Sequence, residues 1–171
     1  ETVINLMISE KPDVVIGVGD YIRGEGVNEA ETRQRWEAFT DETDKLHHTT
    51  PIYLAIGNHD TPSKSYFEEY FYHSYTGTLR YYSFDYGNSH FIILNSEEQG
   101  YQGDFSPTQI NWLENDLKTT DKRHIFIFAH RPMYPVDRHY DDSFNQNQTL
   151  LNWMETLFEE YKVDIFFAGH E

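Results

Sequence analysis

Residues 51–60 read Pro-Ile-Tyr-Leu-Ala-Ile-Gly-Asn-His-Asp. A short apolar run without polar alternation predicts a strand covered on both faces. It stops at a glycine and passes directly into Asn58, His59 and Asp60, side chains that can ligate a metal or move a proton. Working outward, the same grammar recurs three times. Residues 13–18 end at Gly19-Asp20, residues 125–129 at His130, and residues 163–168 at Gly169-His170. Four strands predicted to be buried thus each close on a residue of metal-ligand type.

The segments between these strands alternate with them. Residues 29–46 and 146–161 read as amphipathic helices whose charged positions form solvated faces. Val3, Ile4, Met7 and Ile8 place a helix over residues 1–11, stopped by Pro12. Ser106-Pro107-Thr108-Gln109 opens another helix, with an N-cap serine, proline at the first helical position and glutamine three residues on. Residues 79–95 break the pattern, because two strand-like runs flank Gly87-Asn88-Ser89 as in a hairpin, so the sheet is expected to be mixed. No repeat or dividing linker interrupts the 171 residues, which read as one α/β domain over residues 1–171.

Composition narrows the function. With 38% hydrophobic and 16% aromatic residues the chain can bury a sizeable core. A net charge of −16 repels nucleic acid and anionic membranes unless a local cationic site intervenes, and bound metal is one such site. No cysteine is present, which excludes thiolate zinc sites, disulfides and a cysteine nucleophile, so any metal must be held by nitrogen and oxygen. No apolar run reaches membrane-spanning length. The chain opens on Glu1-Thr2-Val3-Ile4, neither a start with methionine nor a basic signal region, so its true N-terminus is expected to lie upstream.

In open α/β sheets the ligand crevice lies beyond the carboxyl ends of the strands, where residues distant in sequence meet. Asp20, Asn58, His130 and His170 all hold such positions. One carboxylate, one amide oxygen and two imidazoles suit zinc, iron or manganese, whereas calcium would want more oxygens. Taken singly, each has a plainer role: Asp20 as a helix cap, Asn58 as a turn residue, the histidines as hydrogen-bonded structural groups. Four such coincidences at one end of four strands favour the metal. His73, His90, His124 and His139 read as ordinary surface or half-buried histidines, and His47-His48 as cationic closure of a helix.

Gly19-Asp20, Gly57-Asn58-His59-Asp60, His130 and Gly169-His170 resemble, in order and spacing, the motifs of calcineurin-like metallophosphoesterases. Residues 81–87, 94–97 and 130–134 are similar to the purple acid phosphatase branch. The resemblance implies a four-layer α/β/β/α sandwich with mixed sheets. The family's first aspartate motif and its last histidine are not among these residues, so the domain is expected to be incomplete at both termini. The resemblance also implies two divalent or trivalent ions, iron, manganese or zinc, with Asp20 bridging them and Asn58, His130 and His170 completing one site. A metal-bound hydroxide would attack phosphorus, and His59 would protonate the departing alkoxide. The implied partner is a small phosphorylated substrate, with a phosphomonoester favoured over a phosphodiester such as a cyclic nucleotide. A non-catalytic scaffold with the same fold is the remaining alternative. Nucleic acid is not indicated, and an acid-phosphatase likeness fits an extracellular or periplasmic location.

Several positions stay open. Arg23 stands where that branch has tyrosine, so a tyrosinate-to-iron chromophore is not expected, although Tyr21 lies nearby. Asp60 can orient His59 or cap the following helix. Arg131 can contact substrate phosphate or form a surface salt bridge. Asn147-Gln148-Thr149 matches a glycosylation acceptor.

Overall fold

A computed structural model describes residues 3–24, 28–60, 81–136 and 138–171. In chain order the elements are α1 (Val3–Glu10), β1 (Val15–Gly17), α2 (Glu29–His47), β2 (Ile52–Leu54), β3 (Tyr82–Tyr86), β4 (Ser89–Ile93), α3 (Pro107–Thr119) and β5 (His124–Phe128). A 3-10 turn (Phe144–Gln146), α4 (Gln148–Tyr161) and β6 (Ile165–Phe167) follow.

The strands form two sheets, as the four-layer sandwich implied by the resemblance requires. β1 and β2 pair in parallel, while β3-β4-β5-β6 form a second, mixed sheet. There β3 and β4 make the expected hairpin, Tyr86 opposite Ser89 across Gly87-Asn88, and β4, β5 and β6 run parallel. Trp36, Leu46, Ile52 and Leu54, with Ile4 and Ile8, fill the space between α1, α2 and the first sheet. Ile93, Phe128, Ile16, Phe84, Phe91 and Phe126 lie between the sheets, where Tyr53 stacks on Phe84 with ring centroids 3.7 Å apart. Ile92, Ile125, Ile127, Leu113, Leu151 and Met154 lie between the second sheet and α3 and α4. The layers are therefore α/β/β/α. In β5, Ile125 and Ile127 face the helices while Phe126 and Phe128 face the other sheet, the period-2 alternation of a strand buried on both sides.

β6 departs from the reading of four buried strands. It is an edge strand, with Ile165 46% and Phe167 41% exposed. An apolar run does not reveal which of its faces finds a cover.

Capping residues explain the helix ends. Asn28 and Glu31 form a capping box at the start of α2. Ser106 caps α3 through the Gln109 amide at 3.2 Å, but the Gln109 side chain does not complete a box: it bonds the backbone N and O of Asn95 at 2.8 and 2.9 Å, tying α3 to the end of β4. α4 begins two residues later than the periodicity placed it, with Asn147 as its cap. Asn147 Nδ2 also donates to Asp104 Oδ2 at 2.9 Å, so the nitrogen a glycan would need is already engaged. His73, the helix that Asp60 was read as able to cap, and residues 79–80 of the expected hairpin lie outside the described residues. Among the described residues no helix is long and apolar enough to cross a membrane.

His90 proves less ordinary than its sequence context. It is 6% exposed, with Nδ1 2.7 Å from Asp85 Oδ1 and Nε2 2.8 Å from Asp116 Oδ2. Burial disfavours its charge, but the two carboxylates outweigh that and raise its pKa above 6.5. A histidine with a raised folded-state pKa stabilises fully below its unfolded value, and that contribution fades as pH climbs through the folded one. His90→Gln should therefore cost about 2 kcal/mol on the acid side of 6.5 and progressively less above it. Denaturant midpoints across pH test this, and a pH-independent difference would mean that folding leaves the proton affinity of the ring unchanged.

Candidate metal centre

The chain turns sharply after β1, with Gly19 at φ 99° and Asp20 at φ 61°. A Cβ on Gly19 would lie 2.5 Å from His130 Nδ1 and 2.8 Å from the Gly57 Cα, and one on Gly57 would strike Asp20 Oδ1. Only glycine lets these strand-end loops approach so closely. Asp60 binds the loops together. Fully buried, its carboxylate accepts N–H groups of Asp20 (2.9 Å), Tyr21 (3.1 Å), Ile22 (3.4 Å) and Gly57 (2.8 Å). Burial pushes its pKa up to about 6, and the amide donors pull against that and favour the carboxylate. Asp60 thus acts on the backbone that carries Asp20, a role beyond the two its position suggested.

Within this frame four donor atoms converge. The Nδ1–H of His130 donates to the Val18 carbonyl at 2.7 Å, so that in the neutral ring Nε2 carries the lone pair. That Nε2 lies 2.9 Å from Asn58 Oδ1, 3.0 Å from His170 Nδ1 and 3.4 Å from Asp20 Oδ1. His170 is fixed in the complementary sense, its Nε2–H donating to Asp142 Oδ2 at 3.2 Å, so that Nδ1 faces inward. With both rings neutral in these tautomers, four lone pairs aim at one point, a repulsion that a cation among them relieves. Donors about 2.0–2.2 Å from one ion lie roughly 3–3.5 Å apart, so the observed spacing fits zinc, iron or manganese.

The electrostatics divide. Burial lowers the pKa of His130, but the Asp20 carboxylate, with Val18 and Glu97 behind it, outweighs that and raises it, so His130 must give up a proton to take a metal. Burial raises the pKa of Asp20, but His130 and His59 outweigh that and hold it low, so it is a carboxylate. Burial, with the charges of His130 and Arg131 behind it, lowers that of His170 and keeps its lone pair free. His59 donates its backbone N–H to Asp20 Oδ1 at 3.0 Å, and its Nε2 lies 4.0 Å from Asp20 Oδ2, beside the donor cluster. Tyr21 is held elsewhere: its hydroxyl accepts the Gly19 N–H at 3.0 Å and donates to the Ala55 carbonyl at 2.9 Å. Burial raises that phenol well above 10, so it stays protonated. Arg23, exposed, lines a separate hollow with Arg35 and Phe39.

Residues that sequence reasoning passed over adjoin this centre. The His139 ring lies 3.8 Å from that of His170, and its Nδ1 is 3.3 Å from Asp142 Oδ1. His139, Asp142 and His170 form a second cluster of potential ligand atoms. A histidine in an irregular loop nine residues beyond His130 carries no periodic signal; only its nearness to a motif could have raised it. Arg131 neither reaches outward for phosphate nor forms a surface pair. It is 7% exposed and forks onto Glu97, with Nε 2.5 Å from Oε1 and a second nitrogen 2.9 Å from Oε2.

Comparison with known proteins bears on the family and the fold. The chain is 30% identical to purple acid phosphatase 23 of Arabidopsis thaliana, an alignment covering 99% of this chain and 43% of that protein. It is 26% identical to the probable inactive purple acid phosphatase 24 of the same plant, over 92% of this chain and 28% of that one. The chain thus spans less than half the length of these curated relatives. The structure of purple acid phosphatase PPD1 from yellow lupin seeds superposes with a TM-score of 0.73 at 21% identity, covering 98% of this chain and 32% of that one. The family profile for calcineurin-like phosphoesterases matches residues 1–171, and the chain belongs to that family.

Proposed function

We propose that the protein hydrolyses phosphate esters, phosphomonoesters above others, at a centre held by Asp20, Asn58, His130 and His170. The observation that carries this reading is the convergence of four side chains of metal-ligand type, two of them imidazoles whose outer nitrogens are committed to Val18 and Asp142. A pair of divalent or trivalent ions supplies Lewis acidity and an activated water when bound. Asp20 brings the anionic charge that lets two cations approach. Asn58 adds a neutral oxygen, so the centre stays net positive and draws an anionic substrate toward a chain of charge −16. His59 faces the centre from the side of Asp20 and donates a proton to the leaving oxygen.

Chelator-stripped protein reloaded with zinc, manganese or iron should regain turnover of an alkyl phosphomonoester. It should act on the matching diester at least about tenfold more slowly, a barrier difference of ~1.4 kcal/mol. A faster diester would reassign the substrate class. Metal uptake without turnover of either would make the protein a scaffold.

A further inference from the structure

The Glu97–Arg131 pair is buried on both sides, with Glu97 1% and Arg131 8% exposed at the side chain, yet it sits outside the donor cluster. Its surroundings fix it from the second sheet. Asn95, tied to Gln109 of α3, accepts the Glu97 N–H on its side chain at 2.9 Å. Ser96 Oγ accepts the Arg131 N–H at 3.2 Å and bonds Glu97 Oε1 at 3.1 Å. Two guanidinium nitrogens are consumed by Glu97, and the third, Nη1, reaches the Asp142 carbonyl and lies 3.4 Å from Asp142 Oδ2. That carboxylate is the one that accepts the His170 N–H. Asp142 itself is 49% exposed at the side chain and sits in a loop, so packing alone does not set its direction.

We infer that Glu97 and Arg131 form a buried strut that holds Asp142 against His170, and are thereby positioning residues for the metal centre. This inference rests on the metal-centre reading above. The physical reason is that His170 must present Nδ1 inward, and the partner on its other nitrogen decides this. A carboxylate free to swing would leave the ring able to rotate or change tautomer. Arginine suits the task because its rigid fork spans Glu97 and Asp142 at once, which a lysine ammonium, a point donor, does not. Stability alone does not require the pair, since well-packed apolar residues of similar volume serve as well or better at buried positions.

The test is cobalt(II) titration of the chelator-stripped protein, read by visible absorption, beside the melting midpoint of each metal-free variant. Asp142→Asn should melt like the unmodified protein, bind cobalt about 10–100-fold more weakly and give an altered band shape. The double variant Glu97→Met/Arg131→Met should fold and show the same loss, and Arg131→Lys should fail to restore it. Should the double variant not fold, Asp142→Asn and Arg131→Lys decide the matter. Cobalt affinity and band shape equal to the unmodified protein in any folded variant of the set would overturn the strut. Failure of the unmodified protein itself to take up cobalt would instead refute the metal-centre reading, and the strut with it.

Discussion

Asp20→Ala is expected to lose bound metal and turnover together, with turnover falling by roughly 10⁴-fold or more, at least ~5.5 kcal/mol of barrier. Asp20 Oδ1 stands 3.4 Å from His130 Nε2, and it brings the formal negative charge in the proposed donor set. Removing it leaves two cations to repel each other without compensation. Asp20 also sits at φ 61°, which alanine tolerates less well than aspartate or asparagine, so alanine adds backbone strain to the lost charge. Asp20→Asn separates the two. It keeps the shape and the left-handed tolerance, so it should melt normally without metal and still bind metal poorly by elemental analysis. Full metal content in the asparagine variant would deny Asp20 the bridging role.

His59→Ala should fail differently. The hydrogen bond that His59 makes to the Asp20 carboxylate is through its backbone N–H at 3.0 Å, which alanine retains, while the ring stands 4.0 Å away. Metal content should therefore stay near that of the unmodified protein while turnover of alkyl phosphates falls by about 10²–10⁴-fold. On aryl phosphates such as nitrophenyl phosphate the loss should shrink, because nitrophenolate departs without needing a proton. Paired rate measurements decide the assignment: equal losses on both substrates, or loss of metal, would remove His59 as the acid.

What the sequence disclosed and what it withheld follow from different physics. Strand ends were legible because a run such as residues 51–56 stops abruptly at glycine and polar residues, and caps such as Ser106 announce themselves by local chemistry. The division into two sheets came from the motif resemblance and not from the apolar runs, because a run covered by a helix and a sheet looks the same as one covered by two helices. The jobs of Asp60, Arg131 and Asp142 depend on what lies across the fold: the Asp60 carboxylate reaches backbone 38 to 40 residues away, and Arg131 meets Glu97 across 34. No local pattern encodes such partners. His139 was hidden for the same reason, since it joins the centre only because its loop folds back over His170.

The split into two sheets has a consequence for how the molecule assembles. Asp20 and Asn58 extend from β1 and β2, whereas His130 and His170 extend from β5 and β6. Either half alone owns two donors and no competent site. The donor set comes into existence only when the aromatic seam of Tyr53, Phe84 and Phe91 has closed, so an ion that needs all four reports completed docking. By mass action such an ion would also fasten the halves together, since it would bind the closed state and not the parted one.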